Sequence, residues 1–144
     1  MTGVIAGTGS VLVDSSVPLF ALGGPSDLRR PCRQAMDRLA GDGLMFASVE
    51  MIQEVAYHRL RMTADPARAA AEARDIEIAV RVVAFDQDIL HGALELMAHE
   101  QVRGRDAVHA ATALALGIGR VLSTDTAFDR VPGLTRVDPR DVAN

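Results

Sequence analysis

Short apolar runs alternate with longer amphipathic stretches along most of the chain. The run at 10–14 holds three aliphatic residues and ends on the carboxylate of Asp14, and two hydroxyl residues follow it. Such a run predicts a buried parallel strand whose last residue lies at the carboxyl edge of the sheet. Further short runs predict strands at 44–47, 80–85, 120–123 and 134–137.

The stretches between these strands have the spacing of helices. Capping residues before them and glycines after them predict helices at 27–40, 49–61, 66–79 and 87–99, and a nearly all-apolar helix that begins at 104. Shorter helices are predicted after the first strand and at 124–129. Because strands and helices alternate at this spacing, the sequence predicts an α/β fold with a mostly parallel sheet and helices on both faces.

The predicted helix at 49–61 has one apolar stripe and one acidic side. Val49, Ile52 and Val55 fall on the apolar stripe, whereas Glu50 and Glu54 fall opposite to it. The pattern by itself therefore places Glu54 on a solvated face.

Composition narrows the class of protein. A length of 144 residues predicts a single domain over 1–144, with residues 1–9 as an irregular lead-in. The chain is 49% hydrophobic and only 3% aromatic, so we expect an aliphatic core. No apolar run is long enough to span a membrane, and the lone Cys32 excludes an internal disulfide. A reducing cytoplasm is therefore the expected location.

Charge and missing motifs exclude several functions. The net charge of −4 argues against unspecific binding of nucleic acid through bulk electrostatics. All fifteen basic residues are Arg. The absence of Lys argues against a receiver domain and a P-loop NTPase, and Ser16 replaces the second Asp that a haloacid dehalogenase phosphatase requires.

Four carboxylates, Asp14, Glu54, Asp106 and Asp125, stand near predicted strand ends or helix starts. Taken one at a time, the three Asp residues are explained equally well or better as helix caps or dipole-compensating groups. Together, all four can converge on one edge of one sheet. Clustered carboxylates repel unless a cation neutralises them, and oxygen ligands favour Mg²⁺ or Mn²⁺. Such a site activates water to attack a phosphodiester.

Four segments carry a resemblance to a known family. They are Val11–Val17, Ser48–Val55, Arg105–Ala113 and Leu122–Asp129, and in this order and spacing they resemble the PIN-domain nucleases. The similarity spans residues 10–138 and is greatest to the VapC toxins of bacterial toxin–antitoxin pairs. It implies a three-layer PIN-like fold with a central sheet of four to five strands, and a Mg²⁺- or Mn²⁺-dependent endoribonuclease.

The resemblance also assigns roles to residues. The four catalytic acids fall on Asp14, Glu54, Asp106 and Asp125, with Asp14, Asp106 and Asp125 as metal ligands. Ser16, Thr124 and Asp129 fall on accessory positions. Apart from the resemblance, three groups of arginines are candidate phosphate contacts: Arg29, Arg30 and Arg33, Arg59 and Arg61, and Arg103 and Arg105. Arg103 and Arg105 rank highest as RNA contacts because they adjoin Asp106. His109, three residues after Asp106, is interpreted as a hydrogen-bonded core histidine rather than a ligand.

The same resemblance implies partners: an RNA substrate, a cognate VapB-like antitoxin and a second copy of the chain in a homodimer. Two alternatives stay open. One is a PIN nuclease that acts in RNA processing outside toxin–antitoxin systems, and the other is a degenerate PIN module that only binds. The second is expected to have lost one or more of the four acids.

Overall fold

The computed structural model describes the backbone of residues 9–143 and the side chains of residues 9–142. The lead-in expected at 1–9 lies outside the described residues except for Gly9. The strands are β1 (Val11–Val13), β2 (Met45–Ser48), β3 (Arg81–Val83), β4 (Arg120–Leu122) and β5 (Thr135–Val137). All five lie within one residue of, or inside, the stretches that the sequence predicts.

The helices also follow the predicted order. They are α1 (Ser16–Leu22), α2 (Arg29–Gly41), α3 (Val49–Thr63), α4 (Pro66–Ala79), α5 (Gln87–Glu100), α6 (Gly104–Ala115) and α7 (Pro139–Ala143), with a 3-10 helix at Thr126–Arg130. The short helix α7 was not predicted. It packs on α2, where Arg38 donates a hydrogen bond to the carbonyl of Val142 at 3.1 Å. None of these helices, within the part of the chain described, is long and apolar enough to cross a membrane.

The described strands form one parallel sheet in the order β3-β2-β1-β4-β5. From β1 the chain first builds β2 and β3 on one side, and it then returns to build β4 and β5 on the other. The connections after β1 and β4 consequently leave toward opposite faces. A crevice forms at the carboxyl ends of two such strands, and open α/β sheets bind ligands there.

Two apolar clusters cover the two faces of this sheet. Val11 and Val13 of β1 point into a cluster with α1 to α4, and the intervening Leu12 points into a cluster with α5, α6 and Phe128. This alternation is the ordinary geometry of a strand buried on both faces. The predicted fold class, a parallel α/β sheet between two helical layers, is confirmed.

The orientation that the helical pattern by itself predicts for α3 is wrong. Glu54 is 5% exposed, whereas Val49 and Leu60 are 46% and 41% exposed. The buried residues of α3 are Met51, Glu54, Val55 and Arg59, so the helix is turned with a carboxylate and a guanidinium inward. A buried charge requires partners, and both side chains have them.

Candidate active site

Asp14 and Ser123 stand side by side at the crevice between β1 and β4. The register pairs Val13 with Leu122, which brings the residues that follow the two strands together. The backbone N–H of Asp14 donates to the carbonyl of Leu122 at 3.1 Å. The parallel ladder therefore fixes the first acid at the carboxyl edge of the sheet.

The carboxylate of Asp14 is held in place by hydrogen bonds. Its Oδ2 accepts from the Ser123 hydroxyl at 2.8 Å and from the backbone N–H of Ser16 at 3.3 Å. The residue is only 3% exposed. Its orientation is thus determined by β4 and by the start of α1.

Glu54 reaches the same edge from α3. Its Oε2 accepts from the hydroxyl of Ser15 at 3.2 Å, and its Oε1 lies 2.6 Å from Nε2 of His109. The guanidinium of Arg105 lies 3.7 Å from Oε2. These contacts come from segments far away in the sequence and compensate for the burial of the carboxylate.

His109 lies beneath the acids and is fully buried. Its Nε2 is also 3.9 Å from Oδ1 of Asp14. Burial lowers the pKa of His109, but the hydrogen bond to Glu54 and the charges of Asp14, Glu54 and Asp106 outweigh burial and raise this pKa above its ordinary value. The ring therefore links α6 to the acids on β1 and α3, and it agrees with the interpretation as a hydrogen-bonded core histidine.

Asp106, in the first turn of α6, completes the negative cluster. Burial raises the pKa of Asp106 to about 7, and the charges of Asp14 and Asp125 add to this rise. A hydrogen bond to Asp125 acts in the same direction, whereas His109 opposes it. Like charges therefore crowd around Asp106 at this edge of the sheet.

Asp125 caps the 3-10 helix after β4 and also lies close to Asp106. Its Oδ1 accepts from the backbone N–H of Ala127 at 2.9 Å and so caps the 3-10 helix. At the same time it is exposed, and its charge acts on Asp106 at the sheet edge.

The predicted accessory residues and the two candidate arginines make different contacts around the acidic cluster. The Ser16 hydroxyl accepts from the backbone N–H of Thr124 at 3.2 Å, which joins the loops after β1 and β4. Asp129 instead pairs with Arg136 at 3.1 Å and is half exposed. Arg105 contacts Glu50 and Glu54 at 3.8 and 3.7 Å, whereas Arg103 is exposed at the start of α6.

Two hydroxyl residues were missed by the sequence analysis. Ser15 precedes α1, but its side chain makes no cap there and donates to Glu54 instead. Ser123 holds Asp14 and also accepts from the backbone N–H of Asp125 at 2.9 Å. The signal for Ser123 was its position directly after a buried strand, the same position that singled out Asp14.

The donor set fits a hard divalent cation in its chemistry. The acids at the crevice offer carboxylate oxygens, and their mutual repulsion is of the kind that a cation relieves. In the described part of the chain, however, no three His, Cys, Asp or Glu side chains are arranged as ready metal ligands.

Fold and site together define an α/β protein with an acidic centre at the switch point of a parallel sheet. The PIN domain model matches residues 11–134, and this chain belongs to the PIN domain family. The family that the sequence segments predicted is confirmed. Nucleases of this family generally use divalent metal ions.

Individual relatives agree with this assignment. The chain is 25% identical over 129 residues to ribonuclease VapC13 of Mycobacterium tuberculosis, covering 88% of this chain and 98% of that protein. Its fold is similar to the DNA-bound VapBC from Salmonella typhimurium, with a TM-score of 0.72, 18% identity and coverage of 90% and 98%. A toxin–antitoxin complex from Klebsiella pneumoniae gives a TM-score of 0.71, 20% identity and the same coverage.

Proposed function

We propose that this chain is a metal-dependent endoribonuclease and the toxin of a toxin–antitoxin pair, acting as one PIN domain over residues 1–144. The observation that carries the proposal is the convergence of Asp14, Glu54, Asp106 and Asp125 on the switch point of the sheet. Support also comes from relatives of nearly equal length that are named ribonucleases.

In this proposal Asp14, Asp106 and Asp125 hold Mg²⁺ or Mn²⁺ at the crevice. The cation supplies Lewis acidity that activates water and neutralises charge on the phosphodiester. Asp14 is oriented for this task by Ser123, and Glu54 by Ser15 and His109. Because Glu54 has its partners inside the protein, we assign it to organising the acids and the water rather than to direct ligation.

Arg105 is the candidate contact to the substrate phosphate beside the acids. Its side chain is 46% exposed, and its two carboxylate neighbours lie at the outer limit of an ion pair. A phosphate that approaches the crevice can therefore take the guanidinium without breaking a short contact. Arg103 is exposed at the start of the same helix and is the weaker candidate.

The direct test is cleavage of single-stranded RNA with Mg²⁺ or Mn²⁺ by the wild type and by Asp14→Asn. We expect cleavage by the wild type, loss with EDTA, and a rate at least about a hundredfold lower for Asp14→Asn. The matched control is Asp75→Asn, which changes an exposed acid on α4 and should cleave normally. Equal rates for wild type and Asp14→Asn would remove the metal site from the mechanism.

The toxin assignment adds a cognate VapB-like antitoxin and a homodimer as partners. Its support is the similarity of this fold to VapBC and other toxin–antitoxin complexes. Co-expression with a short neighbouring gene should yield a stable complex that no longer cleaves RNA. The free chain should sediment as a dimer. The RNA substrate and the lone buried Cys32 agree with a reducing cytoplasm.

An RNA-processing nuclease outside toxin–antitoxin systems is the alternative if the chain cleaves RNA but no neighbouring antitoxin gene exists. A PIN module that only binds is disfavoured by the presence of all four acids. It would be supported by RNA binding without cleavage at any concentration of Mg²⁺ or Mn²⁺.

A further inference from the structure

A second polar feature lies away from the acids, where four helix ends meet. The end of α1, the start of α2, the end of α3 and the start of α4 enclose an open groove of about 610 Å³. Four guanidinium groups line it, and we call it the arginine groove: Arg29, Arg33, Arg59 and Arg68. Among the described residues that line it, Glu72 carries the one carboxylate.

Glu72 already forms ion pairs with two of these arginines. It forms hydrogen bonds with Arg59 at 3.1 and 3.3 Å and lies 3.8 Å from Arg68. Arg33 uses its Nε to donate to the carbonyl of Ala21 at 2.7 Å. The groove therefore carries an excess of positive charge that the described part of the chain does not neutralise.

Arg29 has a donor group that the described residues leave unpaired. Its Nε is buried and has no hydrogen-bond partner among the described residues. A buried donor without an acceptor costs about 1–3 kcal/mol, so such donors are rarely left unpaired in folded proteins. An adjoining groove shares Arg29 and Arg33 and adds Arg30, which extends the positive surface outward.

The arginine groove lies close to the acidic crevice. Glu54 and Arg59 are both buried on α3 and five residues apart, which is about 7.5 Å along the helix axis. The short helix α1 begins two residues after Asp14 and ends where the groove begins. A linear polyanion with one phosphate at the acids is therefore long enough to place a nearby phosphate in the groove.

We infer that the arginine groove binds a backbone phosphate of the RNA substrate, a few nucleotides from the bond that is cleaved. This inference rests on the proposed nuclease function and names the part of the surface that holds its substrate. The chain has a net charge of −4 and an acidic centre, so it repels RNA unless positive charge is concentrated locally. Guanidinium groups suit this role because their planar fork matches two phosphate oxygens.

The continuity of the RNA strand past the cleaved bond favours RNA over an acidic protein segment as the occupant of the groove. A nucleic acid strand that is cleaved within its length must continue past the acids on both sides. The arginine groove lies where one continuation can run, and its lining is mostly polar, as a phosphate requires. An acidic segment of a partner protein is the competing occupant that the experiment distinguishes.

The test measures the affinity of a fluorescent single-stranded RNA over a series of KCl concentrations. All proteins carry Asp14→Asn to prevent cleavage, and they are compared without a further change, with Arg29→Gln, with Arg33→Gln, and with Arg74→Gln. Arg74 is exposed on α4 and is not part of the groove, so it reports the effect of bulk charge. Arg59 is not changed, because it is buried against Glu72.

We expect Arg29→Gln to weaken binding about tenfold at low salt, because it removes a charge-assisted hydrogen bond to phosphate. The slope of log affinity against log salt should fall by about 0.7 for each phosphate that the variant no longer neutralises, whereas Arg74→Gln should leave the slope unchanged. Equal affinities and slopes for all four proteins would overturn the inference. A poly-glutamate peptide whose affinity falls in Arg29→Gln, while the RNA affinity stays the same, would also overturn it.

Cleavage by the wild type, measured beside the RNA affinities of these variants, separates this inference from the nuclease proposal. If the wild type fails to cleave RNA but Arg29→Gln still reduces RNA affinity and slope, the groove is a phosphate site and the nuclease proposal is wrong. If the wild type cleaves RNA and Arg29→Gln binds it normally, the nuclease proposal stands and the groove inference is wrong.

Discussion

Nε2 of His109 lies 2.6 Å from Oε1 of Glu54, and the two side chains are 0% and 7% exposed. The contact joins α6 to α3 across the carboxyl edge of the sheet, 55 residues apart in the sequence. It is also the shortest of the described contacts to Glu54. A buried carboxylate depends on such a partner, because its removal leaves an unpaired charge in the interior.

Replacement of His109 by Leu should therefore lower the free energy of unfolding by about 2–4 kcal/mol. The double variant with Glu54→Leu should lose less than the sum of the two single variants, since neither charge is then left without its partner. Urea unfolding of the wild type, the two single variants and the double variant measures this coupling.

The chain contains a matched control for this cycle. His99 and Glu95 are also a His–Glu pair, 3.3 Å apart, but their side chains are 71% and 76% exposed. His99→Leu should change the free energy of unfolding by less than about 0.5 kcal/mol, because exposed pairs contribute little. Similar losses for His99→Leu and His109→Leu would show that burial does not decide the strength of the contact.

Ser123→Ala is expected to loosen Asp14 without removing an acid. The hydroxyl donates to Asp14 and accepts from the backbone N–H of Asp125. Its loss removes the shorter of the two hydrogen bonds to Oδ2 of Asp14 and the acceptor for the N–H of Asp125. We expect a loss of about 1–2 kcal/mol in the free energy of unfolding. If Asp14 is a metal ligand, Mn²⁺ affinity should also fall about 10- to 100-fold, as measured by calorimetry.

Ser16→Ala is the comparison for Ser123→Ala. Ser16 is part-exposed, and its hydroxyl touches Ser123 at 3.4 Å and the backbone of Thr124 rather than Asp14. Its replacement should change Mn²⁺ affinity several times less than Ser123→Ala does. A larger effect for Ser16→Ala would transfer the orienting role to that residue.

Mg²⁺ or Mn²⁺ should stabilise the wild type through the acidic cluster. At a concentration a hundred times the Kd, the expected gain is about 2.7 kcal/mol. Asp106→Asn should lose most of this gain, whereas Asp37→Asn, which changes an exposed acid on α2, should keep it.

Without metal the order should change. In EDTA, Asp106→Asn should be at least as stable as the wild type, because one of several crowded carboxylates is gone. Melting temperatures with and without metal give both comparisons.

The sequence predicts the sheet well because its signals are local. Each strand is a short apolar run. Asp14 stands directly after β1, and Asp125 stands three residues after the end of β4. The order of strands brings these ends together, and α/β alternation already implies a parallel sheet. The positions of the acids at the sheet edge were predictable for this reason.

The burial of Glu54 was not predictable from the helical pattern. A helical wheel assigns the apolar stripe to the interior, but Val49 is largely exposed and Glu54 faces inward. Glu54 is bonded inside the protein to Ser15 and His109, which lie 39 and 55 residues away. Tertiary partners of this kind leave no local signal, and only the family resemblance selected Glu54 over Glu50.

Asp138, between β5 and α7, should give a pH dependence of stability at acid pH. Its carboxylate accepts from Arg140 at 2.7 and 3.0 Å, and these bonds hold the pKa of Asp138 at about 2, below its ordinary 3.8. The lowered pKa stabilises the folded chain above pH 3.8, and this contribution is lost as the pH falls toward 2. Because Arg140 is 64% exposed, the contribution should be at most about 1 kcal/mol.

Urea unfolding between these pH values measures this contribution. The free energies of unfolding of the wild type and Asp138→Asn should converge as the pH falls. Asp75→Asn, which changes an exposed acid on α4, should keep a constant difference from the wild type. A constant difference for Asp138→Asn as well would show that the ion pair with Arg140 does not stabilise the fold.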